Sequence, residues 1–147
     1  MSNRAALYPV FKRDFIDRPS PLIFRNRPVD PTPKQGEEPM ETLYRHLTTV
    51  VTDKATRKRE FESDRCFRLH WVLVHLNGSC RDSLDVFSIE DADGPRTYIY
   101  NAKHKYVVIL EPYRDSSGYY LLTAYHLKGG DSRKIENKRK RRLPEIL

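Results

Sequence analysis

Five side chains in this sequence could act together on a phosphate: His46, Arg65, Arg68, Thr123 and Tyr125. Thr123 and Tyr125 belong to the run Gly118–Leu127, GYYLLTAYHL, which is aromatic, β-branched and apolar and follows the turn residues Asp115-Ser116-Ser117. Such a run reads as a strand. Side chains alternate along a strand, so Leu121, Thr123 and Tyr125 are expected on one face and Tyr120, Leu122, Ala124 and His126 on the other. Two hydroxyls about 7 Å apart on a sheet face suit a bound phosphate. The plainer alternative is a polar-faced strand with no site.

The absent motifs narrow the chemistry. There is no His-Glu-x-x-His, Gly-x-Ser-x-Gly or Walker loop in the sequence. No clustered acidic pair points to a two-metal nuclease, and no paired Cys/His spacing points to zinc. No metal or cofactor is therefore expected. If the chain cleaves a phosphodiester, the route is acid–base chemistry on RNA. A base takes the proton of the ribose 2′-OH, an acid protonates the leaving 5′-oxygen, and cations and hydroxyls stabilise the phosphorane between them. His46 can supply the titrating group; Arg65, Arg68, Thr123 and Tyr125 can supply donors. Each also has a structural alternative: His46 as the flank of an amphipathic helix, the arginines as partners of Glu62 and Asp64, Tyr125 as packing. His70 and His75 fall on an apolar helix, and His104 falls in a turn.

The elements that must position these groups follow from periodicity. Met40, Leu43, Tyr44, Leu47, Val50 and Val51 recur at helical steps, although the β-branched run Thr48–Thr52 favours an end near Leu47. Asp53–Glu60 reads as a charged loop. A second helix is expected over Asp64–Leu76, capped by Ser63 or Asp64 and ended by Asn77-Gly78, with Arg65 and Arg68 on one side near its start. Strands are expected over Asp85–Ile89, Arg96–Tyr100, Lys105–Leu110 and Gly118–Leu127, joined by short turns as an antiparallel meander. Upstream, Pro9, Pro19 and Pro21 punctuate an N-terminal helix or docked arm, and Leu22-Ile23-Phe24 begins a short strand that turns at Asn26 toward Val29. Asp30–Pro39 reads as an exposed loop. Helices followed by an antiparallel sheet make an α+β class: N-terminal helices packed on a four-stranded antiparallel sheet.

The chain has 147 residues and a net charge of +7, which favours one domain and an anionic partner such as nucleic acid. The charge is uneven. Lys128, Arg133, Lys134, Lys138, Arg139, Lys140, Arg141 and Arg142 stand against Asp131 and Glu136, so this short segment carries +6 of the +7. The expected organisation is a single domain over 1–127, with an N-terminal arm over 1–20, followed by a basic tail over 128–147 that could grip RNA or simply be solvated. Two cysteines, Cys66 and Cys80, make no disulfide framework, which suits a reducing cytoplasm. No apolar run reaches membrane-spanning length, so no membrane partner is expected.

Three separated pieces carry a resemblance. Glu41–Thr49, ETLYRHLTT, is similar to a "TFxHLT" piece, with His46 at its histidine. Asp64–Leu76, DRCFRLHWVLVHL, is similar to an "RAxRIxWI" helix, with Arg65, Arg68 and Trp71 at its arginines and tryptophan. Tyr119–Leu127, YYLLTAYHL, is similar to a "YxLxTAYxL" strand. In this order they resemble the phage-associated branch of the barnase–EndoU–colicin–RelE-like (BECR) nuclease superfamily, over roughly Pro21–Leu127. Cys66 and Phe67 stand where small and acidic residues are usual, Val72 stands for Ile, and the basic tail is unmatched. The resemblance implies a metal-independent RNase acting on RNA, tRNA among the candidates. His46 would be its acid or base, Arg65 and Arg68 its phosphate ligands, Thr123 a hydroxyl donor, and Tyr125 would line the site. It also implies a toxin or phage-related effector with a cognate immunity or antitoxin protein. Fold alone does not fix function. The rival expectations are a non-catalytic RNA- or DNA-binding module and a phage-encoded protein inhibitor.

Overall fold

The computed structural model describes residues 3–18, 22–77 and 84–147. The elements are α1 (Asn3–Phe11), a π-helical turn (Lys12–Ile16), β1 (Ile23–Phe24), β2 (Arg27–Pro31), α2 (Pro39–Thr48), β3 (Thr49–Asp53) and β4 (Lys58–Phe61). They continue with α3 (Ser63–Phe67), α4 (Trp71–Leu76), β5 (Leu84–Asp91), β6 (Gly94–Asn101), β7 (Tyr106–Pro112), β8 (Tyr119–His126) and α5 (Asp131–Lys140). Pro19, Pro21, Gly78 and Cys80, to which the sequence assigned turns, a helix end and a thiol, lie outside the described residues.

The class is α+β, but the four-stranded antiparallel sheet is wrong. The sheet has six strands in the order β1-β2-β8-β7-β6-β5. The meander β5 to β8 is antiparallel throughout, as its short turns require. A meander alone leaves one flank of β8 with unpaired backbone groups. β2 fills it in parallel, setting Val29, Asp30 and Pro31 opposite Tyr119, Tyr120 and Leu121. β1 then pairs with β2 through a two-residue turn in which Arg25 and Asn26 both take positive φ, the hairpin geometry that matches strand twist.

Nor do the helices all come from the N-terminal side. One sheet face, with Ile99, Val108, Leu110, Tyr119, Leu121 and Ala124, packs against Phe11, Phe15, Leu43, Tyr44, Leu47 and Val72. The other face, with Phe87, Ile89, Tyr98, Tyr100 and Val107, packs against Leu127 and Ile135 of α5. Strand alternation sorts these side chains into two cores.

The phase of β8 changes inside the strand. Leu110 pairs with Leu121 and Ile109 with Thr123, so Leu122 is an extra, unpaired residue. Leu121 and Ala124 consequently share the first core, and Tyr125 packs against the second. The expected grouping of Leu121 with Thr123 and Tyr125 is therefore corrected: the bulge turns the last two to the opposite face.

Two other expectations change. Asp53–Glu60 is not a loop, because β3 and β4 pair as a hairpin. The Thr48 and Thr49 hydroxyls bond back to the carbonyls of Tyr44 and Arg45 at 2.7 and 2.5 Å, and the β-branched run leaves the helix there. The Asp64–Leu76 helix is two helices, joined by i to i+3 bonds from Leu69, Trp71 and Val72. Its cap position is Glu62 rather than Ser63 or Asp64.

Residues after Leu127 are ordered on the sheet. Ile135 is 3% exposed. The Lys138 ammonium lies 3.3 Å from Asp91 and 3.1 Å from the Tyr98 hydroxyl, and Arg139 pairs with Asp85. The chain then reaches β5, where the Leu143 amide donates to Ser88 O at 2.7 Å. Among the described residues, no helix is long and apolar enough to cross a membrane.

Candidate active site

The site is built around the C-terminal end of α2. Glu38 caps the start of this helix, its carboxylate accepting from the amides of Met40 and Glu41 at 3.1 and 2.8 Å, and Pro39 occupies the first turn without needing a donor partner. The last carbonyls of any helix lack intrahelical partners. Here that of His46 accepts from Arg65 Nη1 at 2.7 Å and from the Thr123 hydroxyl at 3.3 Å. Arg65 Nη1 also donates to Thr123 Oγ1 at 3.1 Å. A cation at this end also complements the helix dipole.

Three of the five expected side chains, those of Arg65, Thr123 and Tyr125, therefore meet, and they do so at the backbone of His46. His46, Arg65 and Thr123 share one hydrogen-bonded triangle, and the Arg65 guanidinium lies 5.1 Å from the centre of the Tyr125 ring. Arg65 Nε sits 3.3 Å from Glu62 Oε2, a charge contact whose angle makes no hydrogen bond. Arg68 turns over Trp71 instead, 5.1 Å from the ring centre. Both arginines lie within electrostatic reach of the buried Tyr106 hydroxyl, which burial raises above its ordinary range and the two cations pull back. Arg65 thus acts first as a clamp that fixes the His46 backbone, with Tyr125 as its platform.

The His46 imidazole is half-buried and has no hydrogen-bond partner among the described residues. Burial, then the fields of Arg59, Arg45, Lys34 and Arg65, lower its pKa from 6.5 to about 4. At neutral pH it is an uncharged base surrounded by cations. Glu37 is the balancing charge that lines the same cavity as His46. It accepts from the Thr42 hydroxyl at 2.6 Å and Arg45 at 2.5 Å and sits 3.4 Å from Lys34, which hold its pKa down at about 2. Gly36, at φ +79°, makes the turn that sets Lys34 beside Glu37.

His46 and Lys34 border two cavities. One, of about 360 Å³, is mostly apolar and includes Thr32, Leu43, Leu121 and the bulged Leu122 in its walls, with Thr123 at its side. The other, of about 380 Å³, is lined by Arg45, Val51, Arg57 and Arg59 together with Glu37. Arg59 is held by Nε to Thr49 Oγ1 at 2.8 Å and by Nη2 to Thr49 O at 2.9 Å. Burial and the neighbouring Arg65, Arg45 and Arg57 lower the pKa of Arg59.

These hairpin cations were missed in the sequence, where Asp53–Glu60 passed for a loop. The signal was the β-branched Thr48–Thr52 run facing Arg57-Lys58-Arg59-Glu60-Phe61 across Asp53, a strand–turn–strand pattern. The segment from Lys128 makes a different contribution. Lys128 reaches Glu62 at 2.6 Å, beside Arg65, whereas Lys138 and Arg139 are paired with acids of the sheet. Arg133, Lys134, Lys140, Arg141 and Arg142 are exposed.

Compared with family models, with curated proteins and with solved structures, the chain has no match.

Proposed function

We propose that this protein is a metal-independent endoribonuclease with His46 as its base. The observation that carries this is the setting of His46: a neutral, unpartnered imidazole on the shared wall of an apolar cavity and a cationic one. Such a base takes the 2′-OH proton as the 2′-oxygen attacks phosphorus and the bond to the 5′-oxygen breaks, leaving a 2′,3′-cyclic phosphate and a 5′-hydroxyl. Lys34, which borders both cavities with His46, would protonate the leaving oxygen. Fixed cations stabilise the phosphorane without reorganising. The three-piece resemblance to the phage-associated nucleases supports the same reading, and with it a toxin or effector role held in check by a cognate protein.

One observation favours a second reading, a nucleic-acid-binding module without chemistry. Arg65 Nη1 is committed to His46 O and Thr123, so this arginine is not a free phosphate ligand at that atom. The two readings separate on incubation with total tRNA and a short RNA in EDTA. Discrete fragments ending in 2′,3′-cyclic phosphate, lost in His46→Ala, are expected for the ribonuclease. Salt-sensitive binding with intact RNA, indifferent to His46→Ala, would establish the module instead.

A further inference from the structure

We propose that the two cavities on either side of His46 hold a single nucleotide, with the nucleoside in the Thr32–Leu122 cavity and its 3′-phosphate under the β3–β4 hairpin, on Arg57 and Arg59. This deepens the ribonuclease reading by naming where the ribose and phosphate sit, and it moves phosphate recognition from the expected Arg65 and Arg68 to the hairpin.

Three observations meet here. First, the cavities are neighbours that share His46 and Lys34, and their chemistry differs as a nucleotide's does. Leu43, Leu121 and Leu122 suit the flat face of a base; the hairpin cations suit an anion. Second, the cationic cavity keeps unused donors. Glu37 engages Arg45 and Lys34. Arg57 makes no hydrogen bond or ion pair among the described residues, and Arg59 uses only Nε and Nη2, both on Thr49. Third, a residue in the wall of the apolar cavity carries an unmet polar atom. Thr32 Oγ1 is buried without a partner, a costly arrangement, and a rotation of the side chain toward a base edge or ribose hydroxyl would satisfy it.

The local backbone supports this placement. Asp53 Oδ1 accepts from the Ala55 amide at 2.9 Å and closes the hairpin turn, and Arg57 leaves that turn at φ +60°. A non-glycine residue held there is uncommon, and glycine would relax it. Arg57→Gly therefore removes the guanidinium without a cost in backbone strain, and Thr32→Val removes the hydroxyl while keeping its shape.

The test is binding to the full chain, without turnover. A nucleoside 3′-monophosphate, the matching 5′-monophosphate, the free nucleoside and inorganic phosphate are titrated in by calorimetry, while the His46 ring protons are followed by NMR. The 3′-monophosphate should bind at least about tenfold more tightly than the other three and raise the His46 titration midpoint, because the bound anion offsets the surrounding cations. Arg57→Gly and Arg59→Gln should each weaken it about tenfold, the size of one charge-assisted bond. Thr32→Val should weaken the nucleotide and leave inorganic phosphate unchanged. No preference for the nucleotide over inorganic phosphate, or 3′-monophosphate binding indifferent to Arg57→Gly and Arg59→Gln, would overturn the assignment. Nucleotide binding with tRNA left uncut would sink the ribonuclease and keep this site. Cleavage unchanged in both arginine variants would do the reverse.

Discussion

Acidification tests the half-buried, cationic setting of His46. Burial and the fields of Arg59, Arg45, Lys34 and Arg65 put its folded-state pKa at about 4, against 6.5 for the ordinary imidazole. The folded chain thus binds this proton less readily than the unfolded one. As pH falls below 6.5 the unfolded chain takes the proton first, so the stability contributed by neutral His46 is complete above 6.5. It falls between 6.5 and 4 and changes no further below that. Each pH unit of the interval corresponds to about 1.4 kcal/mol, giving about 3 kcal/mol if fully expressed. His46 is only half-buried, and solvent screening leaves an expected loss of about 1–2 kcal/mol. Urea unfolding from about pH 7.5 to about pH 4, on the wild type and His46→Gln, measures it. The wild type should lose about 1–2 kcal/mol more than the variant over that range. His75, whose pKa burial also lowers, titrates in both proteins and cancels in the difference. NMR of the His46 ring protons gives the midpoint itself, and the acid limb of any RNA cleavage should share it. A midpoint near 6.5, or identical pH slopes for the two proteins, would refute the half-buried, cationic setting of His46.

Arg65→Ala should cost about 2–4 kcal/mol in denaturant unfolding, because it strips the donor from the His46 carbonyl and Thr123 and leaves Glu62, among the described residues, facing only Lys128. Its loss of cleavage would therefore accompany a loosened α2 end, and Arg65→Lys, which can still reach one acceptor, should recover part of the stability. Gly118→Ala should cost about 1–3 kcal/mol, since a Cβ there meets the Tyr113 ring at 2.8 Å and Pro28 O at 3.0 Å; equal unfolding midpoints would show that β2 and the Tyr113 turn are not so closely set.

The local parts of this fold were legible because local rules decide them. The β5–β8 meander follows from alternating β-formers and short turns, and the stop of α2 follows from consecutive threonines that can bond back to the helix. The parallel pairing of β2 with β8 joins residues some 90 positions apart (Val29 with Tyr119), and neither strand carries a mark of its partner. The bulge at Leu122 is as silent: no glycine announces it, and strict alternation then puts Thr123 on the wrong face. His46, Arg65, Thr123 and Tyr125 were picked out by residue type and resemblance, but what Arg65 does depended on an orphan carbonyl that only the folded helix end presents. Charge was the least informative guide to position. The segment after Leu127 holds most of the net charge, yet Lys128, Lys138 and Arg139 face Glu62, Asp91 and Asp85, which cancel much of their field. The hairpin region contributes less to the total, but its cations converge on one cavity beside His46. Among the described residues Glu37 is the one acid lining the cavity there, against Lys34, Arg45, Arg57 and Arg59, and burial together with the field of these cations keeps the proton off His46. An anion that is to meet His46 is drawn to this converging cluster rather than to the longest basic run, so the hairpin is the candidate for contact with RNA beside the base.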